Sequence, residues 1–165
     1  MLCSFKHLKQ LTGYNTSADQ FFFVIQPLLM EYNGLVPHSV HVHENSITFD
    51  AKRTVKFGGG GDSFYEYLLK IWLHRGKKEP MFREMYDYAM DGLHDELVQK
   101  TAVGRLTYIA EKDVKRLHHQ MDHLTCFMAG SLALGAYTNP NGLNSHKAQR
   151  DLKTGKALAY TCYQM

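Results

Sequence analysis

The chain has 165 residues, 44% of them apolar, and a formal net charge of +3. That length is enough for one domain with a core of its own, and so modest a charge gives no reason to invoke a nucleic acid or an anionic membrane as partner. The longest apolar run, residues 21–30, is interrupted by Gln26 and Pro27 and is too short to span a bilayer. The first residues lack the charge, apolar core and small-residue site of a secretory signal, which alone points to the cytosol. The sequon Asn15-Thr16-Ser17 is a weak pointer the other way. Ten histidines are present. His38, His41 and His43 alternate in one segment and His118-His119 stand in a charged one. Neither group has zinc-finger spacing or a cysteine pair nearby, so a scattered, solvated set is expected for most of them.

In chain order, residues 5–11 read as a short helix stopped near Gly13. Ser17 or Asp19 can start the next, over residues 21–32, which Pro27 should kink or break and Asn33-Gly34 should close. In residues 39–57, Val40 and Val42, then Ile47 and Phe49, alternate with polar residues on either side of Glu44-Asn45-Ser46. That is the pattern of a β-hairpin, with residues 54–57 as a third strand.

Gly58, Gly59, Gly60 and Gly61 follow. Such a run sustains neither a helix nor a central strand, and it lets other groups approach the backbone closely. Ser63 and Glu66 have the spacing of a capping box with Ser63 as N-cap. Phe64, Tyr65, Tyr67, Leu68, Leu69, Ile71, Trp72 and Leu73 then make a helix apolar nearly all round, which is expected to be buried. Asp62 stands just before the cap, where the helix dipole favours a carboxylate. A phosphate-binding loop is disfavoured, because no Lys-Ser/Thr follows the last glycine and an acid sits where the anion would bind. Two readings stay open on these residues alone: a turn with a dipole-satisfying Asp, and a carboxylate that acts on water or a glycosidic oxygen.

Beyond the loop at residues 76–79, Pro80 suits the first turn of a helix. Phe82, Met85, Tyr86, Ala89, Leu93 and Leu97 recur along one face of it. Residues 106–109 read as a short strand and residues 111–119 as a charged, exposed stretch. Residues 121–136 are small and apolar, a closely packed buried helix with Asp122-His123 at its start. Residues 138–145 are rich in turn formers. The last helix runs from about His146, with Ala148, Leu152, Gly155, Ala159 and Cys162 on one face. This alternation of helices with short strands fits layered helical hairpins, an α/α toroid, with a plain helical bundle as the simpler option. Both ends of the chain read as cuts through a larger domain.

Gly61-Asp62-Ser63-Phe64-Tyr65-Glu66-Tyr67-Leu68-Leu69-Lys70 closely resembles a signature of the class I α-mannosidases, glycoside hydrolase family 47. Met121-Asp122-His123-Leu124-Thr125-Cys126-Phe127 resembles a second, and Thr161-Cys162-Tyr163-Gln164-Met165 a third. Asn33-Gly34-Leu35-Val36-Pro37 and Leu106-Thr107-Tyr108-Ile109-Ala110-Glu111 look like further segments of that family, in its order and with compatible spacing. The resemblance implies a mainly α fold, part of an (α/α)7 barrel with short β-hairpins in the loops, and makes residues 1–165 a partial catalytic domain. It implies calcium-dependent hydrolysis of terminal α-1,2-linked mannose from oligomannose N-glycans, with inversion at the anomeric carbon. The compartment would be the lumen of the endoplasmic reticulum or Golgi, usually through an N-terminal membrane anchor.

Asp62 aligns with one of the family's catalytic carboxylates, and His123 with a histidine that helps hold the nucleophilic water. Inversion needs a base that activates water and an acid that protonates the leaving oxygen; the resemblance leaves open which of these Asp62 serves. Glu66 is accounted for by the capping box, and Glu111 has only its family segment to recommend it as a further acid. Cys126 and Cys162 match the family's disulfide pair, where isolated cysteines would otherwise read as buried thiols. A bridge would close a loop of about 36 residues and add about 4 kcal/mol of stability, in an oxidising compartment, and leave Cys3 as a free thiol.

The chain also departs from the pattern. Gly60 stands where many endoplasmic-reticulum members carry an Arg that contacts the oligomannose branch, which implies broader, Golgi-like trimming. The family's other catalytic glutamates, its substrate-binding arginines and its calcium-ligating Thr have no counterpart in residues 1–165. No metal ligand is therefore assigned here, and hydrolysis is expected of the parent enzyme rather than of this piece. The alternative is a non-catalytic module that binds mannose glycans without turnover.

Overall fold

The computed structural model describes residues 17–43, 47–49 and 53–165. The helix expected over residues 5–11, Cys3, Asn15 of the sequon and the turn Glu44-Asn45-Ser46 lie outside them.

Helix α1, Ser17–Glu31, buries Phe22, Ile25 and Leu29 along one face. Of the kink or break expected at Pro27, the break does not occur: Ser17–Glu31 is one helix with the proline inside it. The proline ring is exposed, so its strain falls on the solvent side and disturbs no core packing. Asn33 (φ 52°) and Gly34 (φ 77°) end the helix in the left-handed region, and the Gly34 N–H donates to the Leu29 carbonyl at 2.8 Å. A side chain at position 34 would stand 2.2 Å from the Tyr88 carbonyl oxygen, so both backbone angle and space require glycine.

Strands β1, Val40–Val42, and β2, Ile47–Phe49, pair antiparallel with Val42 opposite Ile47. The third strand expected at residues 54–57 does not join them. Val55 instead bridges Lys112, exchanging backbone hydrogen bonds of 2.7 and 3.0 Å. The physical reason is Phe57, which is buried and stacked on Tyr65 with centroids 3.8 Å apart, drawing this segment into the helical core.

Helices α2, Asp62–His74, and α3, Pro80–Gly92, form a hairpin, and a π-helical turn, Leu93–Leu97, continues α3. Tyr65, Leu68, Leu69 and Trp72 of α2 share one core with Phe82, Met85, Tyr86, Ala89, Leu93 and Leu97. Arg83 is only 3% exposed. It pairs with Asp87 at 2.8 Å, donates to the Gly135 carbonyl at 3.0 Å and lies over the rings of Trp72 and Tyr86, so its buried charge is compensated. Strand β3, Val98–Lys100, pairs antiparallel with β4, Thr107–Ile109. Strand β5, Glu111–Lys112, pairs with β6, Leu117–His118. The stretch expected to be charged and exposed is therefore a small hairpin, half-buried because Leu117 packs on the core.

A 3-10 turn, His123–Cys126, leads into helix α4, Phe127–Tyr137, and helix α5, His146–Gln164, lies against α4. The buried helix expected over residues 121–136 is thus shorter and covered on one side. Met128, Ser131, Leu132, Gly135 and Ala136 are buried, while Leu124, Gly130 and Leu134 are exposed. The inward stripe of α5 is Ala148, Asp151, Gly155, Leu158 and Thr161. Leu152 and Cys162 are half-buried and Ala159 is exposed, so the expected face is rotated. Gly155 sets the approach, since a side chain there would come within 2.9 Å of the Ala129 carbonyl oxygen. Thr161 sets the rotation, donating from Oγ1 to the Thr107 carbonyl of β4 at 2.6 Å.

Candidate active site

The site grows from the glycine turn. Its first residue, Gly58, follows the buried Phe57, and its carbonyl accepts the N–H groups of both Gly61 and Asp62 at 3.0 Å. A side chain at Gly61 would stand 2.0 Å from the Lys56 carbonyl oxygen, and one at Gly58 would stand 2.5 Å from the Asp122 carboxylate. Gly60 adopts φ +95° and is exposed. The turn is tight because bare backbone is packed against backbone and against one carboxylate.

Helix α2 begins at Asp62, with Gly61 as N-cap and no side chain capping it. The capping box expected from Ser63 and Glu66 does not form. The glycine turn has already started the helix, so Ser63 lies inside its first turn. Asp62 Oδ1 accepts the Ser63 N–H at 2.9 Å, and Glu66 pairs instead with Lys70 one turn on. Nor is α2 buried all round. Tyr67 is 51% exposed, Phe64 stacks on Phe22 of α1 with centroids 5.9 Å apart, and Tyr67 and Ile71 with Phe21 and Ile25 line a cavity of about 840 Å³. The cavity reaches Gly60, Gly61 and Ser63, and Asp62 and His123 are outside its lining.

The second segment meets the first through Asp122. This residue caps the 3-10 turn, with Oδ1 accepting the Leu124 N–H at 2.6 Å. Its Oδ2 reaches across the chain to accept the Gly59 N–H at 2.8 Å. The Gly59 bond above all, then the Leu124 N–H and the charge of Lys56, holds the Asp122 carboxyl below the usual carboxylate range against the opposing effect of burial. His123 is the first residue of the turn and is exposed. Asp62 and His123 are thus each attached directly to one of the two partners in the Gly58-Gly59 contact with Asp122. No hydrogen bond among the described residues joins Asp62 to His123 themselves.

The remaining segments brace this corner. Cys126, the last residue of the 3-10 turn, is bonded to Cys162 of α5, with Cα atoms 6.0 Å apart. The Tyr65 hydroxyl accepts the Val36 N–H at 2.9 Å and donates to the Val36 carbonyl at 3.1 Å, locking α2 to residues 33–37. Burial pushes the Tyr65 hydroxyl pKa up, so it stays protonated and can make both bonds. Glu111 accepts a hydrogen bond from Gln120 at 2.8 Å and makes none with the glycine turn.

Sequence reasoning missed the reach of Asp122. The one available signal was its residue type, an N-cap former just before a helical stretch. It also missed a buried pair, an exception among described histidines that are mostly exposed, as expected. His94 Nε2 lies 2.9 Å from Asp151 Oδ1, with the two side chains 9% and 3% exposed. Arg150 joins Asp151 to Asp91. Among the described residues, no three His, Cys, Asp or Glu side chains stand together as a metal site. None of the described helices is long and apolar enough to cross a membrane.

A family model described as Glycosyl hydrolase family 47 matches residues 1–165. Mannosyl-oligosaccharide 1,2-alpha-mannosidase IA of Sus scrofa is 39% identical over 162 residues, which is 97% of this chain and 23% of that protein. The endoplasmic reticulum mannosyl-oligosaccharide 1,2-alpha-mannosidase of Rattus norvegicus is 35% identical over 164 residues, 98% of this chain and 24% of that protein. The chain therefore spans about a quarter of the length of these relatives. Among solved structures, alpha-1,2-mannosidase from Trichoderma reesei superposes with a TM-score of 0.69 at 22% identity, covering 94% of this chain and 32% of that one. At that identity the likeness carries the fold alone: the helical hairpins and short antiparallel pairs are part of an (α/α)7 barrel.

Proposed function

The chain belongs to glycosyl hydrolase family 47, and we propose that it is the part of a mannosyl-oligosaccharide 1,2-α-mannosidase that carries Asp62 and His123 into the active site. The reaction is hydrolysis of terminal α-1,2-linked mannose from oligomannose N-glycans, with inversion. The observation that carries this reading is the 2.8 Å bond from Gly59 to Asp122, which joins the segment of Asp62 to the segment of His123. In this reading the carboxylate of one segment and the imidazole of the other share the handling of one water. Asp62 Oδ1 is engaged by the Ser63 N–H, which leaves Oδ2 as the oxygen to take a proton from water or give one to the leaving group. The role proposed for His123, which is exposed, is to orient that water by hydrogen bonding.

Inversion uses two carboxylates, and this chain spans about a quarter of its relatives. Turnover is accordingly assigned to the whole protein. Calcium dependence is proposed for that protein too. Among the described residues no three His, Cys, Asp or Glu side chains stand together to hold a metal, and no step here passes through the ion. The lumen of the endoplasmic reticulum is the proposed compartment. The disulfide, which persists in an oxidising environment, supports it, as does the name of the rat relative. A membrane anchor would belong to the whole protein. Gly60 offers no side chain to a glycan branch, which supports broad, Golgi-like trimming rather than removal of a single mannose.

The test is Asp62→Asn in the protein that contains this chain, assayed by mannose release from an oligomannose glycan. Release is expected to fall by about two to four orders of magnitude with the melting temperature unchanged. Near-normal release would remove Asp62 from the mechanism. A wild-type protein that binds the glycan without releasing mannose would establish the non-catalytic module instead.

A further inference from the structure

We propose that Asp122 is a positioning residue that sets the placement of the Asp62 loop relative to the His123 turn, and that Gly58 is glycine to make room for its carboxylate. This rests on the mannosidase reading above.

The two oxygens of Asp122 do different work. Oδ1 makes an ordinary cap bond to Leu124, which any short polar residue could supply. Oδ2 bonds Gly59, 63 positions away, and capping does not require it. A carboxylate accepting a backbone N–H is a strong, short-range tether. A side chain at Gly58 would stand 2.5 Å from both Cγ and Oδ2 of Asp122 and 2.8 Å from Oδ1, and one at Gly59 would stand 3.4 Å from Oδ2. The glycine turn is thus moulded to this one group. The same Gly58 holds the Asp62 N–H on its carbonyl, so a shift of Gly58-Gly59 moves the main chain of Asp62 directly.

The other side of the tether is fixed. Thr125 is buried in the 3-10 turn, and Cys126 is bonded to α5. The turn of His123 therefore has its own anchors. The run Gly58–Gly61 has no side chains to anchor it and takes its place from backbone bonds and from Asp122. The Gly59 N–H first, then the Leu124 N–H and the charge of Lys56, hold the Asp122 carboxyl below the usual carboxylate range, so it is ionised and competent to accept.

The test separates the two oxygens. Asp122→Ser keeps a hydroxyl for the Leu124 cap but cannot reach Gly59. In the whole protein we expect kcat to fall by about tenfold to a hundredfold with KM little changed and melting close to the wild type. The Gly59 amide should exchange faster with solvent, while amides of α4 keep their protection. Gly58→Ala, which leaves the carboxylate but displaces it, should reproduce the loss in kcat. If Gly59 exchange rises and kcat is unaffected, the tether does not position Asp62 and the proposal fails while the mannosidase reading stands. If Gly59 exchange is unchanged, the bond does not hold the loop and the proposal fails likewise. A wild-type protein without mannose release overturns the mannosidase reading itself, whatever the variants do.

Discussion

Gly130 and Gly135 lie on the same helix, α4, in opposite surroundings. A side chain at Gly135 would stand 2.3 Å from the Tyr86 hydroxyl. That hydroxyl is fully buried and donates to the Ser131 carbonyl at 3.0 Å, so it cannot move aside without losing a bond. At Gly130 nothing lies within 4 Å. Gly135→Ala is therefore expected to destabilise by about 2–3 kcal/mol through overpacking. Gly130→Ala is expected to stabilise by about 0.5–1 kcal/mol, because alanine loses less backbone freedom in a helix. Urea unfolding of the two variants checks both signs. The same contrast limits what residues reveal by themselves. The glycine run could be read as a place where groups approach the backbone closely, but nothing local says that the group at Gly58 is the Asp122 carboxylate.

At the scale of elements, α5 shows how far periodicity carries. Its existence and start follow from a local pattern, and Ser145 does cap it, accepting the Ala148 N–H on its hydroxyl. Its inward face was misplaced because the apolar residues alone do not record Asp151 and Thr161, two polar side chains buried there by partners elsewhere: His94 for Asp151, and the Thr107 carbonyl for Thr161. The Cys126–Cys162 bond holds the far end of α5 to the 3-10 turn. Cys126→Ser, or reduction, is expected to cost about 3–4 kcal/mol by restoring freedom to the unfolded chain. Equilibrium unfolding with and without reductant measures it, and identical midpoints would show that the bond adds nothing to stability.

For the molecule as a whole, acidic pH is the informative stress. The His118 hydrogen bond above all, with the N–H groups of Arg116 and Lys115, holds the Asp113 carboxyl at about 2, against an ordinary 3.8. At Asp91 burial alone would raise the pKa, but bonds and charges from Lys147 and Arg150 outweigh it and the net direction is down. Glu96 follows the same logic through Lys112 and Asn33. Asp122 is lowered as well, chiefly by the Gly59 N–H. Each group is more acidic folded than unfolded, so the unfolded chain takes up more protons as pH falls. The stability these groups contribute is complete above their unfolded values, and it is lost as pH drops through their folded ones. Melting temperature should accordingly decline most steeply between about pH 4 and pH 2. Asp113→Asn should flatten the lower part of that curve, and an unchanged slope would show that the His118 contact is not maintained in solution.

The helices among the described residues, the boundaries at Asn33-Gly34 and Pro80, the pairing of Val40–Val42 with Ile47–Phe49 and the segment bearing Asp62 were legible in the chain alone. Periodicity, backbone freedom and turn chemistry are properties of neighbouring residues, so a sequence states them directly. The resemblance to a known family rested on the same contiguous segments. Four other features belonged to the tertiary structure: which side of α2 and α4 is covered, the pairing of Val55 with Lys112, the burial of His94 with Asp151, and the bond from Gly59 to Asp122. Each depends on what another part of the chain presents across a gap. Burial and hydrogen bonding are satisfied between such distant groups, and no local pattern carries that information.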